Sequence, residues 1–89
     1  MQDWIGKTVG EVLELFQTRY ADVTMVDEPP GKLRAVELDC AARVPVSRFV
    51  LEFDYRPDLF SAARNWPESL VGAQRITAVR NAAEPQAYP

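Results

Sequence analysis

The chain has 89 residues, 47% apolar and 26% charged, with ten Lys and Arg against thirteen Asp and Glu for a net charge of −3. That length fits one domain with a modest core, and the composition is that of a globular protein, neither fibrous nor disordered. The acidic balance argues against a nucleic-acid binder that neutralises phosphates, and no run approaches the ~20 apolar residues of a membrane span.

Eight of the ten cations are Arg, a residue suited to planar, bidentate pairing with carboxylates, although a general compositional bias gives the same excess. Cys40 is the single cysteine, so no intrachain disulfide can form. The N-terminal residues lack a charged-then-apolar signal pattern, with Asp3 where a signal would carry Lys. A reducing, cytoplasmic setting is therefore expected.

In chain order, Trp4 and Ile5 form a lead-in expected to tuck against the core. Thr8, with Glu11 three residues on, fits a capping box, and Val9, Val12, Leu13, Phe16 and Tyr20 recur at helical spacing. A helix is expected over 8–20, with Leu15 on its flank. A short strand follows over 23–27. Pro30 and Gly31 suit the two central positions of a type II turn. The next strand, expected over 32–42, places Val36, Leu38 and Cys40 inward and Glu37 and Asp39 outward. A turn at 43–46 leads into the most regular stretch of the chain, 46–56. There Phe49, Leu51, Phe53 and Tyr55 alternate with Arg48, Val50, Glu52, Asp54 and Arg56, the period of a half-buried strand.

For both apolar sets to share a face, directly paired residue numbers must sum to an odd total. Two turn placements satisfy this. One sets Asp39 opposite Glu52 and Glu37 opposite Asp54; the other sets Glu37 opposite Glu52. Either gathers Glu37, Asp39, Glu52 and Asp54 on the open face. Two readings of that face follow: a solvated surface softened by Arg48, Arg56 and Arg75, on which neutralisation has no effect, or a face kept for a basic partner, on which opposed like charges destabilise the hairpin and neutralising Glu52 and Asp54 should slightly stabilise the free protein.

Residues 57–67 are too many for a hairpin turn and read as an excursion with a helical turn around 58–63, anchored by Phe60 and Trp66. Arg56, Arg64, Asn65 and Trp66 lie close in sequence there. Two outcomes suit them: an anionic-ligand rim or interface cluster, or Trp66 and Phe60 plugging the core while the arginines stay solvated. A last strand, with poor alternation, is expected over 71–80. The domain should span 1–80, with 81–89 a disordered tail. The fold class is α+β: one N-terminal helix on a three- to four-stranded antiparallel meander, two layers.

The chain has no histidine, which removes the commonest general base and the Ser-His and Cys-His nucleophile arrangements. With a single cysteine besides, a structural zinc site is excluded. Gly31-Lys32 lacks the glycine-rich run of a phosphate loop. No catalytic residue, cofactor or metal site is assigned. The residues singled out for binding are Glu37, Asp39, Glu52, Asp54, Arg56, Arg64 and Trp66. They point to a free-standing acidic module that binds another protein, one with a basic surface, as an inhibitor, immunity protein or adaptor does. The alternative is a small-ligand or divalent-cation module using the sheet carboxylates or the Arg64/Trp66 loop. The small core and long sheet edge favour a homodimer, with Val50 as a contact on the open face.

Overall fold

In the computed structural model, which describes residues 2–40 and 47–81 (of Gln2, Asp39, Cys40 and Ser47 the backbone only), Thr8 opens the first helix as its sequence requires. The Thr8 hydroxyl accepts from the Glu11 amide at 3.1 Å, and the Glu11 carboxylate accepts from the Thr8 amide at 2.9 Å. The reciprocal pair satisfies two amides that would otherwise lack partners. It also holds the Glu11 carboxyl below the usual carboxylate range, the Thr8 amide acting first and its hydroxyl second.

Helix α1 covers Val9–Leu15 and buries Val9, Val12 and Leu13. It is shorter than expected. The Gln17 amide donates to the Glu14 carbonyl at 3.0 Å and the Thr18 amide to the Leu13 carbonyl at 2.9 Å, with Gln17 at φ +52°. This is the crossed pair of bonds that ends a helix through a left-handed residue, and no periodicity of apolar residues announces it. Tyr20 falls instead in a 3-10 turn, Tyr20–Asp22, and its hydroxyl donates to the Trp66 carbonyl at 2.6 Å. Trp4, in a 3-10 turn Gln2–Trp4, stands edge-on to Phe16 and Phe49 at 5.2 and 5.1 Å. Ile5 does not tuck in: it is half exposed.

Strands β1 (Thr24–Val26), β2 (Ala35–Cys40), β3 (Ser47–Glu52) and β4 (Ala78–Asn81) form one antiparallel meander in that order. The chain is thus α+β. Between β1 and β2, Glu28–Pro29 is cis, the Lys32 amide donates to the Pro29 carbonyl at 3.0 Å and Gly31 takes φ +88°. Pro30 and Gly31 hold the expected central positions. Gly31 is also where Phe60 crosses: a β-carbon there would lie 2.9 Å from the Phe60 ring and 2.9 Å from the Ser61 carbonyl oxygen.

The β2–β3 register has the expected odd sum but is neither of the two expected pairings. Ala35 faces Glu52, Glu37 faces Val50 and Asp39 faces Arg48. The parity is fixed by the buried set, Val36, Leu38, Leu51 and Phe53, whereas the exact offset depends on the hairpin loop, and residues 41–46 lie outside the described segment. So does the tail from 82 onward, while Asn81, placed in the tail by sequence, ends β4.

The largest departure is after β3. The Trp66 indole N–H donates to the Leu59 carbonyl at 2.6 Å, and both residues are buried. Leu59 and Trp66 anchor the excursion, while Phe60 is half exposed. The helical turn is a 3-10 segment, Pro57–Leu59. The expected strand start at Val71 is a second helix, α2 (Glu68–Gly72), entered through Pro67 with Glu68 in its first turn. Residues 74–76 then run against 6–9: the Gly6 amide donates to the Ile76 carbonyl, the Ile76 amide to Lys7 and the Val9 amide to Gln74, at 2.8–2.9 Å. At Thr77 both the amide and the hydroxyl reach the Glu52 carbonyl, at 2.8 and 3.3 Å. The chain shifts phase there, so Ile76 is buried and Val79 also packs on the core. Helix, turn and phase shift together explain the poor alternation.

Val9, Val12 and Leu13 of α1, the inner sheet residues, Leu33, Leu59, Trp66, Val71 and Ile76 make one hydrophobic cluster. Among the described residues no helix is long and apolar enough to cross a membrane.

Two substitutions test this account. Phe53→Ala removes a core ring and should cost about 3–5 kcal/mol in chemical denaturation. Gln17→Gly relieves the left-handed residue and should add about 0.5–1 kcal/mol; a loss of stability there would contradict the helix ending described.

Candidate functional site

The open sheet face is not a bare acidic surface. Val50 lies between Glu37 on β2 and Arg80 on β4, with Arg48 and Glu52 as its same-face neighbours along β3. Arg48 pairs with Glu37 at 3.5 Å and Arg80 with Glu52 at 2.6 Å. Long charged side chains carry apolar stems that can cover a short apolar neighbour. Ringed by them, Val50 is only 4% exposed and Ala35, opposite Glu52, 3%. Val50 is therefore not the exposed dimer contact expected from sequence.

The repulsion expected of a partner face is absent, because no two of these carboxylates are directly opposed; Glu37 has Arg48, as the softened-face reading expects, and Glu52 has Arg80, which that reading did not name. Asp54 lies past the end of β3, exposed, in a small hollow of about 210 Å³ with Arg56, Gln74, Arg75 and Thr77. Asp39 stands opposite Arg48 in register, and its side chain lies outside the described residues.

The loop residues are likewise engaged from within. Arg56 pairs with Asp58 at 3.4 Å. Trp66 is buried, so its ring is not offered to a ligand. Arg64, itself at φ +57°, grips Asp27 with two nitrogens, Nε at 2.6 Å and Nη2 at 2.8 Å. The Asp27 carboxylate also accepts from the Gly31 amide at 3.1 Å. Its side chain is buried beneath the more exposed guanidinium. The Arg64 bonds, then the Gly31 amide, hold the Asp27 carboxyl below its usual range, and the same contact raises the Arg64 guanidinium. Sequence reading placed Arg64 among binding residues and passed over Asp27, whose partner lies 37 residues away.

A different surface is left with unmatched charge. Helices α1 and α2 meet at Gly10 and Gly72, so closely that a β-carbon on Gly10 would sit 3.2 Å from the Gly72 carbonyl oxygen. With no side chain between them, a groove of about 750 Å³ opens alongside, lined by Gly10, Leu13, Glu14, Tyr20, Glu68 and Gly72 among others. That volume is in the ~300–1,000 Å³ range of ligand clefts. Arg19 is also on its lining and pairs with Asp22 at 3.1 Å. Glu14 and Glu68 have no ion-pair partner among the described residues. Burial, then the nearby Glu68, push the Tyr20 hydroxyl above its ordinary pKa. The signal in the sequence was slight: a glycine in the first turn of α1, and Pro67-Glu68 before a short apolar pair.

Among the described residues no group of three or more His, Cys, Asp or Glu side chains stands together as a metal site would require. Comparison with protein families, with curated proteins and with solved structures finds no match to this chain.

The ion pairs give two expectations. Glu52→Gln should be neutral or destabilising by up to ~1 kcal/mol, because it removes the Arg80 pair; a gain would restore the repulsive picture. For Asp27 the folded carboxyl titrates below its unfolded value near 3.8. Its contribution is thus fully present above that value and lost as pH falls through the lower, folded one. Asp27→Asn should melt below the wild type at neutral pH, and the gap should narrow as pH falls below the unfolded value near 3.8. A gap independent of pH would remove the ionised pair as its cause.

Proposed function

We propose that the protein is a small, non-catalytic, acidic binding module that docks another protein through the groove between α1 and α2, as an inhibitor, immunity protein or adaptor does. One observation carries this reading: among the candidate surfaces, the groove combines an apolar floor with two carboxylates, Glu14 and Glu68, that have no ion-pair partner among the described residues. The groups singled out on the sheet and loop are for the most part engaged internally, which weakens a cation or small-ligand site built on them. The chain's lack of histidine supports a non-catalytic role, and its single cysteine agrees with a reducing cytoplasmic setting.

The test compares two photo-crosslinking positions in the cell of origin, one at exposed Ser69 on the groove and one at exposed Asp54 in the hollow beside Arg56. A discrete protein adduct from Ser69 and none from Asp54 is expected, and Ala21→Trp, which narrows the groove, should abolish it without lowering the melting temperature. Adducts from Asp54 alone would move the docking surface to the sheet end.

A further inference from the structure

Resting on that groove, we infer that its occupant is a basic amphipathic segment of a partner protein, placing a Lys or Arg side chain between Glu14 and Glu68. The charges around the groove decide the sign. Arg19 is matched by Asp22, so a positive group gains two carboxylates there that no cation among the described residues already serves. The floor decides the shape. Gly10, Leu13 and Gly72 present backbone and aliphatic surface, against which the methylene stem of a long cation can lie while its head stays at the rim. Tyr20 adds an aromatic wall of the kind cations favour.

A lone small amine would leave most of this surface uncovered. Glu14 also borders a second, shallower hollow of about 450 Å³ with Lys7, Glu11 and Leu15, and Leu15 is 59% exposed. Lys7 there acts on Glu11, and Glu11 is already engaged by Thr8. The two hollows share one carboxylate, so the receptive surface runs on past Glu14 to an exposed leucine. An extended or helical segment with a cation followed by an apolar residue matches that sequence of features.

The probe is a synthetic peptide of Leu, Ala and Arg with arginines at helical spacing, set beside the same peptide carrying citrulline for arginine, which keeps shape and removes charge. Titrated into labelled protein, the arginine peptide should shift the amide resonances of Gly10, Ser69 and Gly72. The citrulline peptide should bind at least about tenfold more weakly, a difference of about 1.4 kcal/mol. The double variant Glu14→Gln, Glu68→Gln should lose a similar factor and most of the salt dependence, with its melting temperature kept. Equal affinity of the two peptides, or an unchanged double variant, would overturn the basic partner and leave the docking groove standing. No shift at the groove with either peptide at millimolar concentration would overturn both. A dimer in sedimentation that the double variant dissolves would overturn the foreign segment in favour of a second copy.

Discussion

The buried carboxylate of Asp27 holds together parts of the chain that no regular element joins. It takes the Gly31 amide from the turn after β1 and both nitrogens of Arg64 from the excursion after β3. Around it lie two residues in left-handed conformation, Gly31 and Arg64. Arg64 has a β-carbon, so that conformation costs energy locally, and the two-pronged grip on Asp27 supplies a reason for the chain to adopt it. Such pairs are asymmetric in their failure. Removing one partner leaves a charge in a place from which water is largely excluded, which is worse than never having had the pair. With the excursion pinned, Phe60 lies over Gly31 and Trp66 closes the core beneath Tyr20. The groove owes its wall to this chain of contacts, because Trp66 leads directly into Pro67 and α2.

Charge in this protein is distributed by use. On the sheet, acid and base are interleaved so closely that they cover two apolar residues, and their net field at a distance is small. Along the groove, Glu14 of α1 and Glu68 of α2 have no ion-pair partner among the described residues. An acidic excess of three charges over the chain is thus felt unevenly, and a basic partner approaching from the helix side meets more of it than one approaching the sheet. Uneven fields of this kind govern the rate and orientation of encounter more than final affinity.

Much of the fold was legible from the sequence, wherever one residue's neighbours in sequence decide its conformation. The capping box at Thr8, the Pro30-Gly31 turn and the alternation about Phe49, Leu51 and Phe53 are such cases. What escaped depends on partners distant in sequence. The helix stops at Leu15 because Gln17 bends left-handed, and α2 is a five-residue helix too short for periodicity to reveal, stable only through packing. The site was harder still. Parity of the β2–β3 pairing followed from burial, but the offset that turns four clustered carboxylates into separate ion pairs did not. Arg64 drew notice as a cation in a loop, and nothing local points to Asp27. The groove is defined by an absence of side chains at Gly10 and Gly72, which composition records only as two glycines.

The pairing of residues 6–9 with 74–76 has a bearing on how the molecule is made. Gly6 and Arg75, joined by a hydrogen bond, are 69 positions apart. At about 5–20 residues per second of synthesis, α1 emerges some seconds before the strand and helix it must pack on exist. Seven residues are too few to hold a helix in water unaided. On the ribosome, therefore, α1 is made before the residues that cover its apolar face, and its seven residues become secure only once that later chain is in place.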